Sequence, residues 1–537
     1  MAIELSNLTF TEQDDIVPAS GAEEILNTGI ANTLAGNDII IGTKEIITDT
    51  PPQDIFSSIF NSGTLNTADG NDIITGILNH EDPSIEDFYY RYSIYNIGII
   101  NSGNGDDKIT GINEAVFGYF TGTENGIYTK ESTINTGDGN DIITGITKLG
   151  MGITSLDSII NTGDGNDTIT GISTATDDYG FFGIELRGAG GIHTGKGNDI
   201  ITGTASYVGI FNSPDTFLNT DDGNDIITGN SPGFGIGLWN FGFIDTGDGN
   251  DIITGSNIDE ADGILNSGAM GIVNGGQFDG FMYTGDGNDT INGISSAENG
   301  WGIDNLPTYT IDTGNGNDII TGTGTRYGIR NGGTINTGNG QDSISSVGNV
   351  TNRGVIFLGD GNDSILTEVD LPNRSLENFN AIDTGDGDDI ITSTGLLYKE
   401  GVINTGNGND IITGTGTGYG IYNNGGAINT GDGNDSIIAN EGFESGPNSS
   451  GAWFLGEGED YIKGYGSGDF YGGNGNDTLE LTPGTYTIGI WGEGWDTSAI
   501  FTKGDQLMIT SEFEKLKAGT TIYDFTSLTA GQIIVVA

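Results

Sequence analysis

The chain has 537 residues, of which 96 are Gly and none is Cys, and its 75 Asp and Glu against 16 Lys and Arg give a formal net charge of −59. The absence of Cys excludes thiol catalysis and thiolate zinc sites. With no basic stripe, a nucleic-acid partner is not expected. No apolar run approaches the roughly 20 residues that span a bilayer, so the chain is not expected to be membrane-spanning.

Residues 1–31 show little of the pattern that fills the rest of the chain, and we expect them to form an N-terminal cap. The first residues, Met-Ala-Ile-Glu-Leu-Ser, lack the basic start and apolar stretch of a secretory leader. A cleaved signal peptide is therefore not expected.

From residue 32 to residue 480 a short acidic turn recurs seventeen times, typified by Thr-Gly-Asp-Gly-Asn-Asp-Ile-Ile-Thr at 136–144. A variable segment, then Gly-Ile-x-Asn and Ile-Asn-Thr, completes each unit. Apolar residues in ones and twos between turn signals predict strands. A repeated unit of this size predicts a stack in which each coil contacts only its neighbours. We therefore expect an all-β fold, a right-handed parallel β-helix or β-solenoid, with the acidic turns stacked along one edge.

The acidic turn has the composition of a hard-cation site. Gly137 and Gly139 permit positive φ, which lets carbonyl oxygens point inward, and Asp141 adds a carboxylate. Stacking two such turns would collect oxygen ligands of the kind that Ca²⁺ prefers. An alternative is that the turns stack as Asn ladders without metal. The predicted metal ligands are the final Asp of each turn: Asp38, Asp72, Asp107, Asp141, Asp167, Asp199, Asp225, Asp251, Asp289, Asp318, Asp342, Asp363, Asp389, Asp410, Asp435, Asp460 and Asp477.

This turn resembles the nonapeptide of the RTX (hemolysin-type) calcium-binding repeat, Gly-Gly-x-Gly-x-Asp-x-apolar-x. Gly137, Gly139, Asp141 and Ile143 match its second, fourth, sixth and eighth positions. The resemblance implies that the Asp carboxylates and turn carbonyls bind multiple calcium ions (Ca²⁺). Two departures stand out: the family's first Gly is usually Thr here, and most coils, of 21–38 residues, have one acidic turn each. The second departure favours a larger, three-sided coil over a two-sided roll.

The longer coils carry insertions rich in aromatic residues between about 78 and 301. Two interpretations stay open: these rings pack on the wall of the solenoid, or they form a platform for glycans or a cell-surface protein. The aromatic residues concerned are Phe88, Tyr89, Tyr90, Tyr92, Tyr95, Phe117, Tyr119, Phe120, Tyr179, Phe181, Phe182, Phe234, Trp239, Phe241 and Trp301.

The acidic turns stop before residues 481–537, which we expect to form a C-terminal β cap over the open edge of the last coil. The RTX resemblance implies a type I secretion signal in this region and an extracellular or cell-surface location. Together these features predict a secreted or cell-surface calcium-binding β-solenoid with a structural or adhesive role. The alternative is a polysaccharide-acting enzyme, a lyase or epimerase on a β-helix scaffold. Such an enzyme needs a base beside a cationic partner, and since nothing in the sequence groups its Arg residues, we expect no enzyme.

Overall fold

The computed structural model describes residues 2–18, 23–45, 55–79, 90–114, 124–175, 181–233, 235–257, 270–274, 281–297, 300–368, 374–446, 451–492 and 498–537. Strands dominate this part of the chain, whose helical segments are the 3₁₀ turns Leu5–Asn7 and Phe525–Ser527. Within these ranges there is no helix of the length and hydropathy needed to cross a membrane. The chain forms two compact units, Met1–Ile303 and Asp304–Ala537.

A typical coil contains three strands, which we call the first, second and third strand. After Asp141 they are Ile142–Thr147, Ile153–Leu156 and Ile159–Asn161. Each pairs in parallel with its counterpart in the next coil, as when Ile143 aligns with Ile169. The parallel β-solenoid is therefore confirmed, and its coil has three strands.

First strands follow the acidic turns. In the first unit they are Ile39–Glu45, Ile73–Asn79, Lys108–Asn113, Ile142–Thr147, Thr168–Ser173, Ile200–Thr204, Ile226–Ser231, Ile252–Asn257 and Thr290–Ser295. In the second unit they are Ile319–Asn331 and Ser343–Asn352, both continuous with the second strand, then Ser364–Glu368, Ile390–Ser393, Ile411–Gly414, Ser436–Ala439, Tyr461–Lys463 and Thr478–Leu481.

Second strands contain the Gly-Ile-x-Asn segment or the segment that replaces it in the coil. They are Ile25–Asn27, Ile55–Asn61, Tyr90–Asn96, Glu124–Lys130, Ile153–Leu156, Phe182–Arg187, Val208–Asn212, Ile236–Asn240, Met270–Asn274, Trp301–Asn305, Arg374–Asn378, Leu396–Lys399, Ile421–Asn423 and Phe443–Ser445.

Third strands precede the turns and are short. In the first unit they are Ile30–Asn32, Thr64–Asn66, Ile99–Asn101, Thr133–Asn135, Ile159–Asn161, Gly190–His193, Thr216–Asn219, Phe243–Asp245 and Phe281–Tyr283. In the second unit they are Thr310–Asp312, Thr334–Asn336, Val355–Phe357, Ala381–Asp383, Val402–Asn404, Ala427–Asn429, Ala452–Gly458 and Gly468–Gly475.

The core is a column of aliphatic side chains contributed by all three strands. Ile143, Ile153 and Ile160 are fully buried, one from each strand of a single coil. Gly145 allows the first and second strands to approach closely, because a Cβ there would lie 2.1 Å from the carbonyl oxygen of Gly152. Stacking buries an apolar column that no single coil can bury alone.

A second internal column consists of the Asn that ends most second strands. Asn331 donates from Nδ2 to Oδ1 of Asn352 at 2.9 Å, and Asn352 donates likewise to Asn378 at 2.9 Å. Lys399 takes this place in the following coil, where Nζ donates to Oδ1 of Asn423 at 2.9 Å and to the carbonyl of Gly425 at 3.0 Å. Burial lowers the pKa of Lys399 to about 7.

At the N-terminal end, Ile3–Glu4 pairs with Ile25–Asn27, and Ile16–Val17 pairs with Ile39–Glu45.

At the C-terminal end parallel pairing gives way to antiparallel pairing. Gly468–Gly475 and Thr478–Leu481 still pair in parallel with Gln506–Ser511 and Lys515–Ala518. Antiparallel pairs then join Gly484–Trp491 to Ser498–Lys503 and to Ile533–Val536, Ser498–Lys503 to Gln506–Ser511, and Lys515–Ala518 to Thr521–Asp524.

Candidate metal centre

All seventeen predicted Asp ligands are buried inside the coils, the most exposed being Asp342 at 2%. Each lies between an acidic turn and a first strand. The turn itself requires Gly: Gly137 and Gly139 have φ of 85° and 153°. A Cβ on Gly139 would lie 1.8 Å from the carbonyl oxygen of Gly105 in the preceding coil. The close stacking of these turns holds the Asp side chains at a fixed place in every coil.

Within each unit the Asp residues form a ladder along the stack through one of their carboxylate oxygens. The backbone N–H of Asp107 donates to Oδ1 of Asp141 at 2.7 Å, and the N–H of Asp141 donates to Oδ1 of Asp167 at 2.8 Å. The same bond repeats through each unit. In the first unit the ladder begins at the N–H of Asp15, which donates to Asp38, and in the second unit it ends where the N–H of Asp477 donates to Oε2 of Glu514 at 2.8 Å.

The other carboxylate oxygen, Oδ2, is mostly without a donor. In the described part of the chain, Oδ2 is buried and accepts no hydrogen bond in fourteen of the residues: Asp72, Asp107, Asp141, Asp167, Asp199, Asp225, Asp251, Asp342, Asp363, Asp389, Asp410, Asp435, Asp460 and Asp477. By contrast, Oδ2 accepts from a hydroxyl in the other three residues: from Thr33 in Asp38, and from Thr284 and Thr313 at 2.6 Å in Asp289 and Asp318. A buried anionic oxygen without a donor is unfavourable unless it is protonated or binds a cation.

A column of hydroxyl groups accompanies the carboxylates, always five residues upstream of the Asp. We call it the hydroxyl column; it consists of Thr33, Thr67, Ser102, Thr136, Thr162, Thr194, Thr220, Thr246, Thr284, Thr313, Thr337, Thr384, Thr405 and Thr430. All its members are buried. Leu358, Leu455 and Gly472 occupy this position before the remaining three Asp residues.

The environment of the carboxylates opposes their ionisation. Burial raises the pKa of Asp141 to about 6 and that of Asp225 to about 7. The ladder N–H counteracts part of the rise, whereas neighbouring carboxylates add to it. The same cause raises the pKa to about 6 in Asp72, Asp199, Asp389 and Asp477, and to about 7 in Asp107, Asp167, Asp251, Asp342, Asp363, Asp410 and Asp460.

The outer side of the turn forms the Asn ladder that was the alternative to a metal site. Asn166 donates from Nδ2 to Oδ1 of Asn140 at 3.0 Å, and both side chains are exposed. The carbonyl of Asp164 accepts the N–H of Gly139 at 2.9 Å, so turn carbonyls also take part in stacking. The Asn ladder outside and the Asp ladder inside therefore occur in the same turns.

The donor atoms fit a hard cation, because the unpaired Oδ2 atoms are carboxyl oxygens, most of them with a hydroxyl group close by. In the described residues there is no group of three or more His, Asp or Glu side chains that could hold one ion. Each ion would therefore combine one or two carboxylates with hydroxyl and carbonyl oxygens, which is a ligand mixture that Ca²⁺ accepts.

The aromatic residues of the insertions form stacks where they are described. Tyr92 is 5% exposed, and its ring lies 5.0 Å from that of Tyr95 and 4.6 Å from that of Tyr128. Trp239 and Phe241 pack edge to face at 5.0 Å. These rings pack against one another, and both interpretations of the insertions stay open. Phe88, Tyr89, Phe117, Tyr119, Phe120, Tyr179 and Phe234 lie outside the described residues.

No protein-family model matches the chain, and a search of curated proteins finds no match. The resemblance to the RTX repeat thus depends on the turn motif alone and stays a prediction.

Proposed function

We propose that this protein is a secreted or cell-surface β-solenoid that binds multiple calcium ions and has a structural or adhesive role. The proposal depends on one observation: fourteen buried Asp oxygens have no donor in the described structure, and they recur coil after coil. Structural acids are normally paired when they are buried.

Calcium is the cation that suits these ligands best. Successive carboxylates in a parallel stack repeat at about 4.8 Å, a distance at which buried like charges repel strongly. A divalent cation between two carboxylates attracts both of them and so replaces the net repulsion by a net attraction. Ca²⁺ tolerates irregular sets of six to eight oxygens, whereas Mg²⁺ requires a compact octahedron.

A structural role follows from the way such ions couple to folding. An ion that binds the folded chain and not the unfolded chain stabilises the fold by mass action. Extracellular modules typically bind Ca²⁺ at about 10⁻⁴–10⁻³ M, so the solenoid would be rigid outside the cell. The half-exposed rims of the aromatic stacks, such as Tyr90 at 48% and Phe243 at 50% exposure, offer an adhesive surface for glycans or a cell-surface protein.

Equilibrium dialysis of the full chain against Ca²⁺, with circular dichroism on the same samples, tests the proposal. We expect many bound ions, a gain in β structure or thermal stability on binding, and little response to Mg²⁺ at equal concentration. A chain that binds no Ca²⁺ at millimolar concentrations, with the same melting curve in chelator, would exclude the proposal.

A further inference from the structure

We infer that the hydroxyl column supplies a second side-chain ligand beside fourteen of the seventeen Asp residues and thereby determines which coils bind their ion tightly. This inference rests on the proposed calcium binding.

The position five residues upstream faces Oδ2 directly. Oγ1 of Thr284 and of Thr313 lies 2.6 Å from Oδ2 of the Asp in the same coil. Gly472 gives independent support, because a Cβ built on it would lie 2.8 Å from Oδ2 of Asp477. Ligand oxygens around an ion at about 2.3–2.6 Å stand roughly 3 Å apart. A small movement would therefore place both oxygens on one ion.

The hydroxyl also has an alternative acceptor, which frees its lone pairs for a cation. Oγ1 of Thr136 donates to the carbonyl of Thr162 at 3.3 Å, and that of Thr405 donates to the carbonyl of Thr430 at 3.3 Å. Oγ1 of Thr313 has both acceptors within reach: Oδ2 of Asp318 lies at 2.6 Å and the carbonyl oxygen of Thr337 at 3.5 Å. A hydroxyl has one proton, so donating it to the next coil, as Thr136 and Thr405 do, leaves its lone pairs free to bind a cation beside Oδ2.

Three coils lack the hydroxyl and provide a natural contrast. Leu358 and Leu455 are fully buried upstream of Asp363 and Asp460, and Gly472 precedes Asp477. In these three coils the residue five positions upstream of the Asp has a hydrocarbon side chain or no side chain, so it offers no ligand beside Oδ2. We expect these three sites to bind more weakly than the fourteen that have a hydroxyl.

The test compares inward and outward Thr of the same three coils in the full chain. The inner triple variant is Thr313→Val, Thr384→Val and Thr405→Val, which keeps the shape and removes the hydroxyl. The matched outer triple is Thr321→Val, Thr392→Val and Thr413→Val, on first-strand positions that face outward. By equilibrium dialysis we expect three Ca²⁺ sites of the inner triple to weaken by about 10- to 100-fold, and those of the outer triple to be unchanged.

Two further measurements separate the hydroxyl from packing. In chelator the inner triple should melt below the outer triple, because Oδ2 of Asp318 loses its donor and the carbonyls of Thr405 and Thr430 lose the hydroxyl groups that donate to them. A triple Thr→Ser variant at 313, 384 and 405 keeps the hydroxyl, as Ser102 does naturally, and should bind like the unaltered chain.

The outcomes distinguish the inference from the proposal beneath it. If the unaltered chain binds no Ca²⁺, both are overturned. If the unaltered chain binds Ca²⁺ and the inner triple binds as many ions as tightly, the inference alone is overturned. If the Ser and Val triples lose equal Ca²⁺ affinity, the loss is caused by altered packing, and the inference is also overturned.

Discussion

The backbone N–H of Asp107 donates to Oδ1 of Asp141 at 2.7 Å, across 34 residues of sequence. Each Asp thus anchors the start of the first strand in the coil before it. The same side chain leaves Oδ2 buried without a donor. The ladder therefore engages one oxygen in the stack and leaves the other available for the proposed cation.

Replacing Asp141 separates these two functions. Asp141→Asn keeps an Oδ1 acceptor and removes the charge, so we expect one bound Ca²⁺ fewer and equal or higher stability in chelator. Asp141→Ala leaves the N–H of Asp107 buried without an acceptor, which costs about 1–3 kcal/mol. Calcium dialysis and denaturant unfolding measure the two effects.

The control for these variants is Asp138→Asn in the exposed part of the same turn, which should change neither quantity. If the Asn variant binds as many ions as the unaltered chain, Asp141 is not a ligand.

The metal-free chain should lose stability as pH rises from about 4 to about 7. Burial raises the pKa of the column from an ordinary 3.8 to about 6 in Asp141 and about 7 in Asp225. In that window the folded chain binds more protons than the unfolded chain, so its free energy of unfolding falls with rising pH and then levels off. Ca²⁺ competes with these protons. Melting curves in chelator and in Ca²⁺ should therefore lie close together at pH 5 and far apart at pH 8.

A metal-free chain that becomes more stable between pH 5 and pH 8 would contradict the raised pKa values. High salt is a useful control, since it screens exposed acids much more than buried ones.

Gly139→Ala should destabilise the stack strongly. The residue has φ of 153°, and the added Cβ would meet the carbonyl of Gly105 at 1.8 Å, so the two coils must move apart. Gly418→Ala is the matched control, because Gly418 has φ of 94° with nothing within 4 Å of the new Cβ. We expect about 1 kcal/mol for the control and about 4 kcal/mol or more for Gly139→Ala, measured by urea unfolding in Ca²⁺. Equal costs would mean that backbone strain, and not coil contact, requires Gly at 139.

Lys399→Asn should stabilise the protein near neutral pH. It restores the Asn rung between Asn378 and Asn423 and removes a buried amine whose pKa is lowered to about 7. The unfolded chain binds this proton more readily than the folded chain between about pH 7 and 10.5, so the penalty of Lys399 shrinks as pH rises through that window. Urea unfolding at pH 7 should favour the variant by about 1–2 kcal/mol, with a smaller difference at pH 10.

Lys399→Met is the comparison that removes the charge without restoring the rung. If Asn and Met variants are both less stable than the unaltered chain at pH 7, the ammonium contributes more to the fold than the column of Asn does.

The parts of the site that repeat could be predicted, and the parts that do not repeat could not. Asp141 and its counterparts follow from the periodic turn, and the strands follow from Ile142 and Ile143 beside it. Glu514 lies outside the repeats, so nothing in the sequence marked it as the end of the ladder. The hydroxyl column did have a signal, since Thr136 stands where the similar RTX nonapeptide has Gly. The direction in which the Thr side chain points depends on how the acidic turn folds.

The sequence by itself determined a parallel solenoid of coils with one acidic turn each, because period, turn residues and β-branched strands repeat within a few residues of one another. Only the tertiary structure decided which atom each side chain meets. Asp141 finds its donor 34 residues upstream in Asp107, and Asn331 finds its acceptor 21 residues downstream in Asn352. Such pairs exist only once the coils are in register. Burial in the stack then raises the pKa of carboxylates that look like ordinary acids in the sequence.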